Sequence, residues 1–362
     1  MKILYVMSFY PNNPRNLKLI KYLKEKYKVR SCFLASKSQS ILEEDKENFV
    51  FNSKEIKTKF SKFLALLYYY FYLIKVIQIY RPNIIFAYHW EIFILVRLVT
   101  FFHKKIKIVY DISDIPAYFG KKHMILKKIE EFFINKKIFL IFASPYFREK
   151  YKKFRDNNYF ILNNKPEKKI FQNIIYKKNQ EGKITAAFFG VFRDPEIFEN
   201  IFKAMKDFPI LLKMRGSGYA KNKIEKIAKN YTNIEIGDEY TYEQLPKLYE
   251  DIDIIMSLYS NRDENTYLAL GNKYFEAIAL KKIGFFPKGT KMGDLALKEK
   301  IGIVVDPYDI KEIRKFFKEI TDNTEIIKEI KKNLLFKKEE EIFYEYEVEK
   351  FLPKLKNFIN NG

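Results

Sequence analysis

The stretch GNKYFEAIAL, residues 271–280, sets a cation and a carboxylate in an otherwise apolar run. Lys273 and Glu276 are three residues apart, so on a helix they share one side of the first turn. One reading is a surface ion pair. The other is a nucleotide site, with Lys273 where the helix dipole already favours an anion. Glu276, one turn deeper, would then accept hydrogen bonds from sugar hydroxyls. Asn272 is a candidate N-cap for the helix.

Other segments offer related chemistry. In FFGVFRDPEIF (188–198) an apolar run ends at Gly190, and Arg193 precedes an Asp-Pro helix start. Glycine lets the backbone approach a ligand, and the arginine could grip phosphate bidentately or pair with Asp194 or Glu196. KMRGSGYA (213–220) places Arg215 and two glycines, Gly216 and Gly218, between a strand and a helix. That is either a phosphate-approach turn or a plain strand-to-helix turn. The polar loop SNRDEN before residue 271 carries Glu264 and Asn265. In the first half, IVYDISDIPAYF ends a strand on Asp111, Ser113 and Asp114. These could orient a hydroxyl or act as base, or serve only in capping and loop hydrogen bonds. AYHWEIF puts His89, Trp90 and Glu91 at another strand end, and Arg15 opens a helix after the first strand. His89 reads as a hydroxyl or phosphate ligand, or as a half-buried structural histidine.

The elements that must position these groups alternate. Strands are expected at 2–8, 29–35, 48–53, 83–88, 107–113, 139–144 and 158–164. After a polar stretch near 167–182, they resume at 183–190, 210–216, 233–238, 252–259, 283–287 and 302–307. Helical patterns lie between them, at 195–205 and 243–251 for example. Strand–helix–strand alternation implies right-handed crossovers and parallel sheets buried on both faces. Two such runs predict two doubly wound α/β domains, with ligands at the carboxyl ends of the strands. No 20–50-residue period is present, which excludes a solenoid. The expected division is 1–168, 169–335 and a helical tail at 336–362.

Composition narrows the classes. The 362 residues carry 67 Lys plus Arg against 45 Asp plus Glu, a net charge of +22. Such a chain attracts nucleic acid, anionic lipid or phosphorylated small molecules. The basic residues are dispersed, without a basic arm or zinc-finger spacing, so no specific nucleic-acid partner is expected. The single cysteine, Cys32, rules out a disulfide framework and suggests a reducing compartment. His89, His103 and His123 are scattered, and no metal site or cofactor is expected. The opening MKILYVMSFYP reads as a strand rather than a signal peptide. The aromatic-rich run 63–74, flanked by Lys62 and Lys75, is too short for a span. It reads as a core helix, or as one lying against a bilayer surface.

Taken in order, these segments resemble the GT-B glycosyltransferases of the family 4-like group, over nearly the whole chain. IVYDISDIP is similar to the family's Tyr-Asp-x-His-Asp strand end, with Ser113 at the histidine, and ILNNKP to the end of its first domain. YTYEQLPKLYEDIDIIMSLY is similar to its helix-plus-strand segment. NKYFEAIALKKIGFFPKGTKMGDLALKEKIGIVVDPYD is the nearest match, to the donor-binding helix, the next strand, the Gly-Asp loop and the GxVVDP strand. The tail resembles the C-terminal helix that crosses back onto the first domain. Two departures stand out. Many members carry a glutamate eight positions before the one corresponding to Glu276, where this chain has Leu268, leaving Glu264 as the nearest substitute. A second basic residue often comes five or six positions after the arginine, where Phe198 and Glu199 stand.

The resemblance implies two Rossmann-like domains facing across a cleft that closes to exclude water. It implies a retaining transfer of a sugar from a nucleotide-diphosphate sugar to a glycan or lipid-linked acceptor in surface polysaccharide assembly. Gly190, Arg193, Asn272 and Lys273 would hold the diphosphate and Glu276 the ribose. Arg215, Gly216 and Asn265 would lie along the nucleotide and sugar, and Asp111, Asp114 and Glu264 would act in catalysis. Arg15, His89 and Ser113 would face the acceptor. A cytoplasmic protein is expected, peripheral to an anionic membrane face. Two other readings use the same architecture: a nucleotide-sugar epimerase, and a non-catalytic basic protein binding membrane surface or nucleic acid.

Overall fold

The computed structural model describes residues 1–8, 13–36, 45–115, 121–154, 156–172, 174–177, 183–322 and 324–361. The chain forms two compact units, Met1–Leu162 with Val348–Gly362, and Asn163–Glu347.

The first unit runs β1 (Lys2–Ser8), α1 (Pro14–Lys24), β2 (Lys28–Ser36), β3 (Asn48–Ser53), α2 (Lys59–Tyr80), β4 (Ile84–Tyr88), α3 (Trp90–Val99), β5 (Lys107–Ile112), α4 (Lys121–Phe133), β6 (Ile138–Phe142) and β7 (Tyr159–Ile161). The seven strands lie in the order β3-β2-β1-β4-β5-β6-β7, and their pairings are parallel. β1, β4 and β6 are buried along nearly their whole length, which is why they read as continuous apolar runs.

The second unit begins with the short α5 (Lys168–Phe171) and continues β8 (Ile184–Phe189), α6 (Pro195–Met205), β9 (Ile210–Arg215), α7 (Lys221–Ala228), β10 (Ile234–Gly237), α8 (Leu245–Leu248), β11 (Ile254–Met256), α9 (Glu264–Leu268), α10 (Asn272–Leu280), β12 (Ile283–Pro287), α11 (Lys291–Glu299), β13 (Gly302–Val305), α12 (Ile310–Asp322), α13 (Thr324–Leu335) and α14 (Glu339–Ile342). Its order is β10-β9-β8-β11-β12-β13, again parallel. The final helix, α15 (Tyr344–Asn361), starts in the second unit and from Val348 belongs to the first.

Strand order reverses between β1 and β4 in the first unit and between β8 and β11 in the second. Loops leaving these neighbours diverge, which opens a crevice at the carboxyl ends of the strands. The units divide at 162/163 and 347/348, where the sequence suggested 168/169 and 335/336. The reason is local. Asn163 N donates to Glu347 Oε2 at 2.6 Å, Lys165 pairs with Glu347 at 2.9 Å, and Tyr344 N donates to Pro166 O at 3.0 Å. These bonds tie both ends of the second unit together. The helix expected at 243–251 is a 3₁₀ turn, Tyr242–Gln244, followed by the single turn α8.

Candidate functional site

In the second unit β8 ends at Phe189, and Gly190 N donates to Arg215 O at 2.9 Å. Phe192 N donates to Ser217 O at 2.8 Å, so the loops after β8 and β9 are laced together. That lacing explains the glycines of KMRGSGYA. Gly216 has φ +137°, and a Cβ there would lie 1.9 Å from Gly190 O. Gly218 has φ +145°, and its Cβ would lie 2.3 Å from Phe192 O. Both admit a neighbouring backbone, so the turn is justified by the fold before any ligand is considered.

Helix α10 is capped by Gly271 in an extended conformation, with no side-chain cap. Asn272 is therefore the first helical residue and not the cap, and its Oδ1 accepts from Asn164 Nδ2 at 2.6 Å. Lys273 and Glu276 are buried, 6% and 5% exposed. Among the described residues no ion pair joins them. Lys273 Nζ lies 3.3 Å from Tyr259 Oη and 5.2 Å from the centre of the Phe188 ring. Glu276 Oε2 accepts from Tyr249 Oη at 2.7 Å. Burial alone would lower the Lys273 pKa, but the oxygens of Tyr259, Tyr240 and Glu276 outweigh it, and the amine stays a cation. Burial pushes Tyr240 up to about 12 and carries Tyr249 well above the ordinary phenol range, so both phenols keep their protons at pH 7. A cation and a carboxylate, each fixed by a tyrosine, thus sit on the first turn of a helix.

Gly190 lies against Lys273 and Tyr259, and a Cβ on it would stand 2.7 Å from Lys273 Nζ and 3.2 Å from Tyr259 Oη. Arg193 is exposed and has no partner among the described residues. Its expected partners are used elsewhere: Asp194 accepts from Tyr308 Oη at 2.7 Å, and Glu196 meets Arg262 at 3.8 Å. Ser260 Oγ also hydrogen-bonds Tyr308 Oη, at 2.8 Å, which anchors the loop carrying Glu264 and Asn265. Those two residues lie half-buried in the short α9, capped by Asp263. Leu268, at the position of the family's first glutamate, is 2% exposed and belongs to the core. Arg215 is half-buried, and Gly237 gives it room: a Cβ there would lie 2.9 Å from its guanidinium carbon. Arg215 and Gly237 border a cavity of about 440 Å³ lined also by Phe189, Glu235 and Lys247.

The first unit holds a separate cluster at the ends of β4 and β5. Here the structure corrects two assignments. Asp111 is fully buried and bound by Arg15, with Nη2 to Oδ1 at 2.8 Å and Nε to Oδ2 at 3.2 Å. Arg15 Nη1 donates to Leu162 O at 2.7 Å. A buried carboxylate needs such a partner, and this pair is consumed in holding β5 to α1 and the end of β7. Neither residue turns a free group to a ligand. His89, Ser113 and Asp114 remain, each half-buried. His89 has φ 74° and ψ 152°, a backbone region almost confined to glycine. Burial lowers its pKa against the pull of Asp114 and Glu91, so the ring is neutral at pH 7. Asn13 Nδ2 donates to Tyr88 Oη at 3.2 Å beside it. Residues 9–12, after β1, and 116–120, after the β5 cluster, lie outside the described residues.

Sequence reasoning missed Tyr249, Tyr259, Tyr240 and Asn164. The chain has 27 tyrosines, and nothing in their spacing marks these three. Among the described residues no group of three or more His, Cys, Asp or Glu could hold a metal ion.

No family model matches the sequence, and no curated protein matches it. Solved structures match its whole length. Sucrose-phosphate synthase from Thermosynechococcus elongatus superposes with a TM-score of 0.77 at 12% identity, covering 100% of both chains. Anabaena HepE, solved with UDP and glucose, gives 0.71 at 12% identity, over 99% of this chain and 100% of that one. A putative UDP-N-acetylglucosamine 2-epimerase from Listeria monocytogenes gives 0.65 at 9% identity, over 100% and 97%. These likenesses establish the fold: two Rossmann-like domains of the GT-B class.

Proposed function

We propose that this chain is a glycosyltransferase that takes a sugar from a nucleotide-diphosphate donor held in the second unit. The observation that carries the reading is the Lys273–Glu276 arrangement, buried on one helical turn yet not paired with each other. A buried cation at a helix N-terminus suits a diphosphate, and a carboxylate one turn on suits a ribose diol. Arg193, exposed and unpaired among the described residues, adds a second cation. UDP, present in the HepE structure, is the first nucleotide to test.

Catalysis on this reading is electrostatic. The bond from the sugar C1 to the diphosphate oxygen breaks, and its electron pair leaves on that oxygen. Lys273, Arg193 and the N–H groups opening α10 stabilise the developing charge. An acceptor hydroxyl bonds to C1 on the same face and loses its proton to the departing phosphate oxygen. In the first unit the neutral His89, with Ser113 and Asp114, is assigned to the acceptor hydroxyl. A glycan or lipid-linked saccharide is the acceptor class that the family resemblance supports.

Calorimetry with UDP tests the donor site. Lys273→Ala and Glu276→Ala are each expected to weaken binding at least tenfold, about 1.4 kcal/mol. Unchanged binding in the double variant would sink the assignment. An epimerase would instead convert a UDP-sugar without any acceptor, visible as a second anomeric signal by NMR. A chain that binds RNA with steep salt dependence and no nucleotide would be the binding protein.

A further inference from the structure

Helix α2 is apolar on both sides. Its inner stripe, including Ala65, Tyr69, Leu73 and Ile77, is buried, and Tyr69 Oη donates to Cys32 O on β2 at 2.8 Å. Its outer stripe, Phe60, Phe63, Leu67 and Phe71, recurs every three or four residues and is between 41% and 69% exposed. A helix covering a soluble core carries charged residues on that side. The apolar surface also extends beyond α2. Right-handed crossovers put α2, α3 and α4 on one face of the sheet, and α3 packs against both neighbours. Past the end of α3, Phe102 is 86% exposed, and on α4 Phe132 is 82% exposed in a stripe with Ile125 and Ile129.

The charge around this surface is one-sided. From Lys59 to Lys107 the sequence has eight Lys and Arg and one acidic residue, Glu91. That glutamate is already bound by Lys62 at 2.6 Å. Over the whole chain the ratio is only 67 to 45. Lys104 and Lys105 follow Phe101 and Phe102 with only His103 between, all five exposed, and Lys75 continues the outer stripe of α2. Exposed aromatic side chains ringed by lysines match one surface in both respects: acyl chains take the rings, and anionic head groups take the amines.

We infer that the outer face of α2, α3 and α4 docks on an anionic lipid bilayer. Lys59–Tyr80 is long and apolar enough to cross a membrane by length and composition. A span, however, would strip its inner stripe from the sheet and break the Tyr69 bond, so the helix lies on the bilayer and does not cross it. The inference is independent of what the chain transfers, because its readout is lipid binding alone.

Vesicle flotation tests it, with phosphatidylcholine alone and with one third phosphatidylglycerol. The protein is expected to float with the anionic vesicles and to remain partly bound at 0.5 M salt, where charge alone is screened. Phe63→Ser, Phe71→Ser, Phe102→Ser and Phe132→Ser together should cut binding at least tenfold. Their exposure leaves the fold intact, checked by circular dichroism and by retained UDP binding. Lys104→Gln with Lys105→Gln should reduce the preference for anionic vesicles. The inference is overturned if the wild type stays with the soluble fraction in both cases. Binding that salt abolishes and the Phe changes leave untouched also overturns it. So does a lipid-free dimer that the Phe changes turn into monomers, since the face would then be covered by a second copy.

Discussion

Gly190 and Lys273 compete for the same space. A methyl group on Gly190 would stand 2.7 Å from the ammonium, against the free end of a flexible side chain. Gly190→Ala should therefore leave the unfolding midpoint nearly unchanged while displacing the cation, and weaken UDP about tenfold by calorimetry. Equal loss of stability and affinity would mean the glycine serves the backbone instead. His89 makes the opposite trade. Its φ of 74° with ψ 152° costs on the order of 1–3 kcal/mol in any residue but glycine. His89→Gly is expected to raise stability by about 1 kcal/mol in urea unfolding and to slow sugar transfer. A lower midpoint would show that no strain is stored there. At this scale the sequence revealed Lys273 and Glu276 because charge inside an apolar run is conspicuous. It concealed the fate of Asp111, since a catalytic carboxylate and a structurally paired one are spelled alike until Arg15 is seen beside it.

The same loop–strand junctions set the limits at the level of elements. Gly218 places its would-be Cβ 2.3 Å from the Phe192 carbonyl at φ +145°, so Gly218→Ala should cost about 3 kcal/mol or more, read from the urea midpoint. Gly271, capping α10, has its nearest atom at 3.8 Å, and Gly271→Ala should cost about 1 kcal/mol or less. Similar losses at both would refute the close-approach account. Helix α4 is pinned by Glu130, fully buried, whose Oε1 accepts from Tyr110 and from Tyr151, the latter at 2.7 Å. Oε2 has no partner among the described residues. Burial raises the Glu130 pKa, so the stability it contributes is full below the ordinary carboxyl range and is lost as pH rises through the raised value. Glu130→Gln should lose less stability than the wild type as pH rises above the ordinary carboxyl range in urea titrations; parallel curves would sink the idea. The strands were legible because a sheet buried on both faces needs uninterrupted apolar runs. Their ends were less so: the strand expected to run to 259 stops at Met256, and Tyr259 beyond it meets Lys273.

At the scale of the molecule, the first unit is discontinuous in sequence. Its last fifteen residues carry a buried face, with Phe351 and Leu355 fully covered and Phe358 7% exposed. Phe351 lies 5.5 Å from Phe160 on β7, and Phe358 lies 5.3 Å from Phe139 on β6, ring centre to ring centre. Lys107 at the start of β5 donates to the carbonyl of Phe358 at 3.1 Å. Deleting one buried aromatic side chain costs about 3–5 kcal/mol. Losing two phenylalanines and a leucine together approaches the whole net stability of a domain, about 5–15 kcal/mol. Truncation after Glu347 should therefore unfold the first unit. The second unit keeps the Glu347 and Tyr344 bonds that tie its two ends, so the proposed UDP site should survive. Limited proteolysis checks both halves of this expectation. Residues 1–162 should become rapidly cleaved, and a fragment near 163–347 should persist and remain protected by UDP. A truncated chain that resists cleavage throughout would show that α15 contributes little, and loss of the UDP-protected fragment would show that the second unit depends on the first.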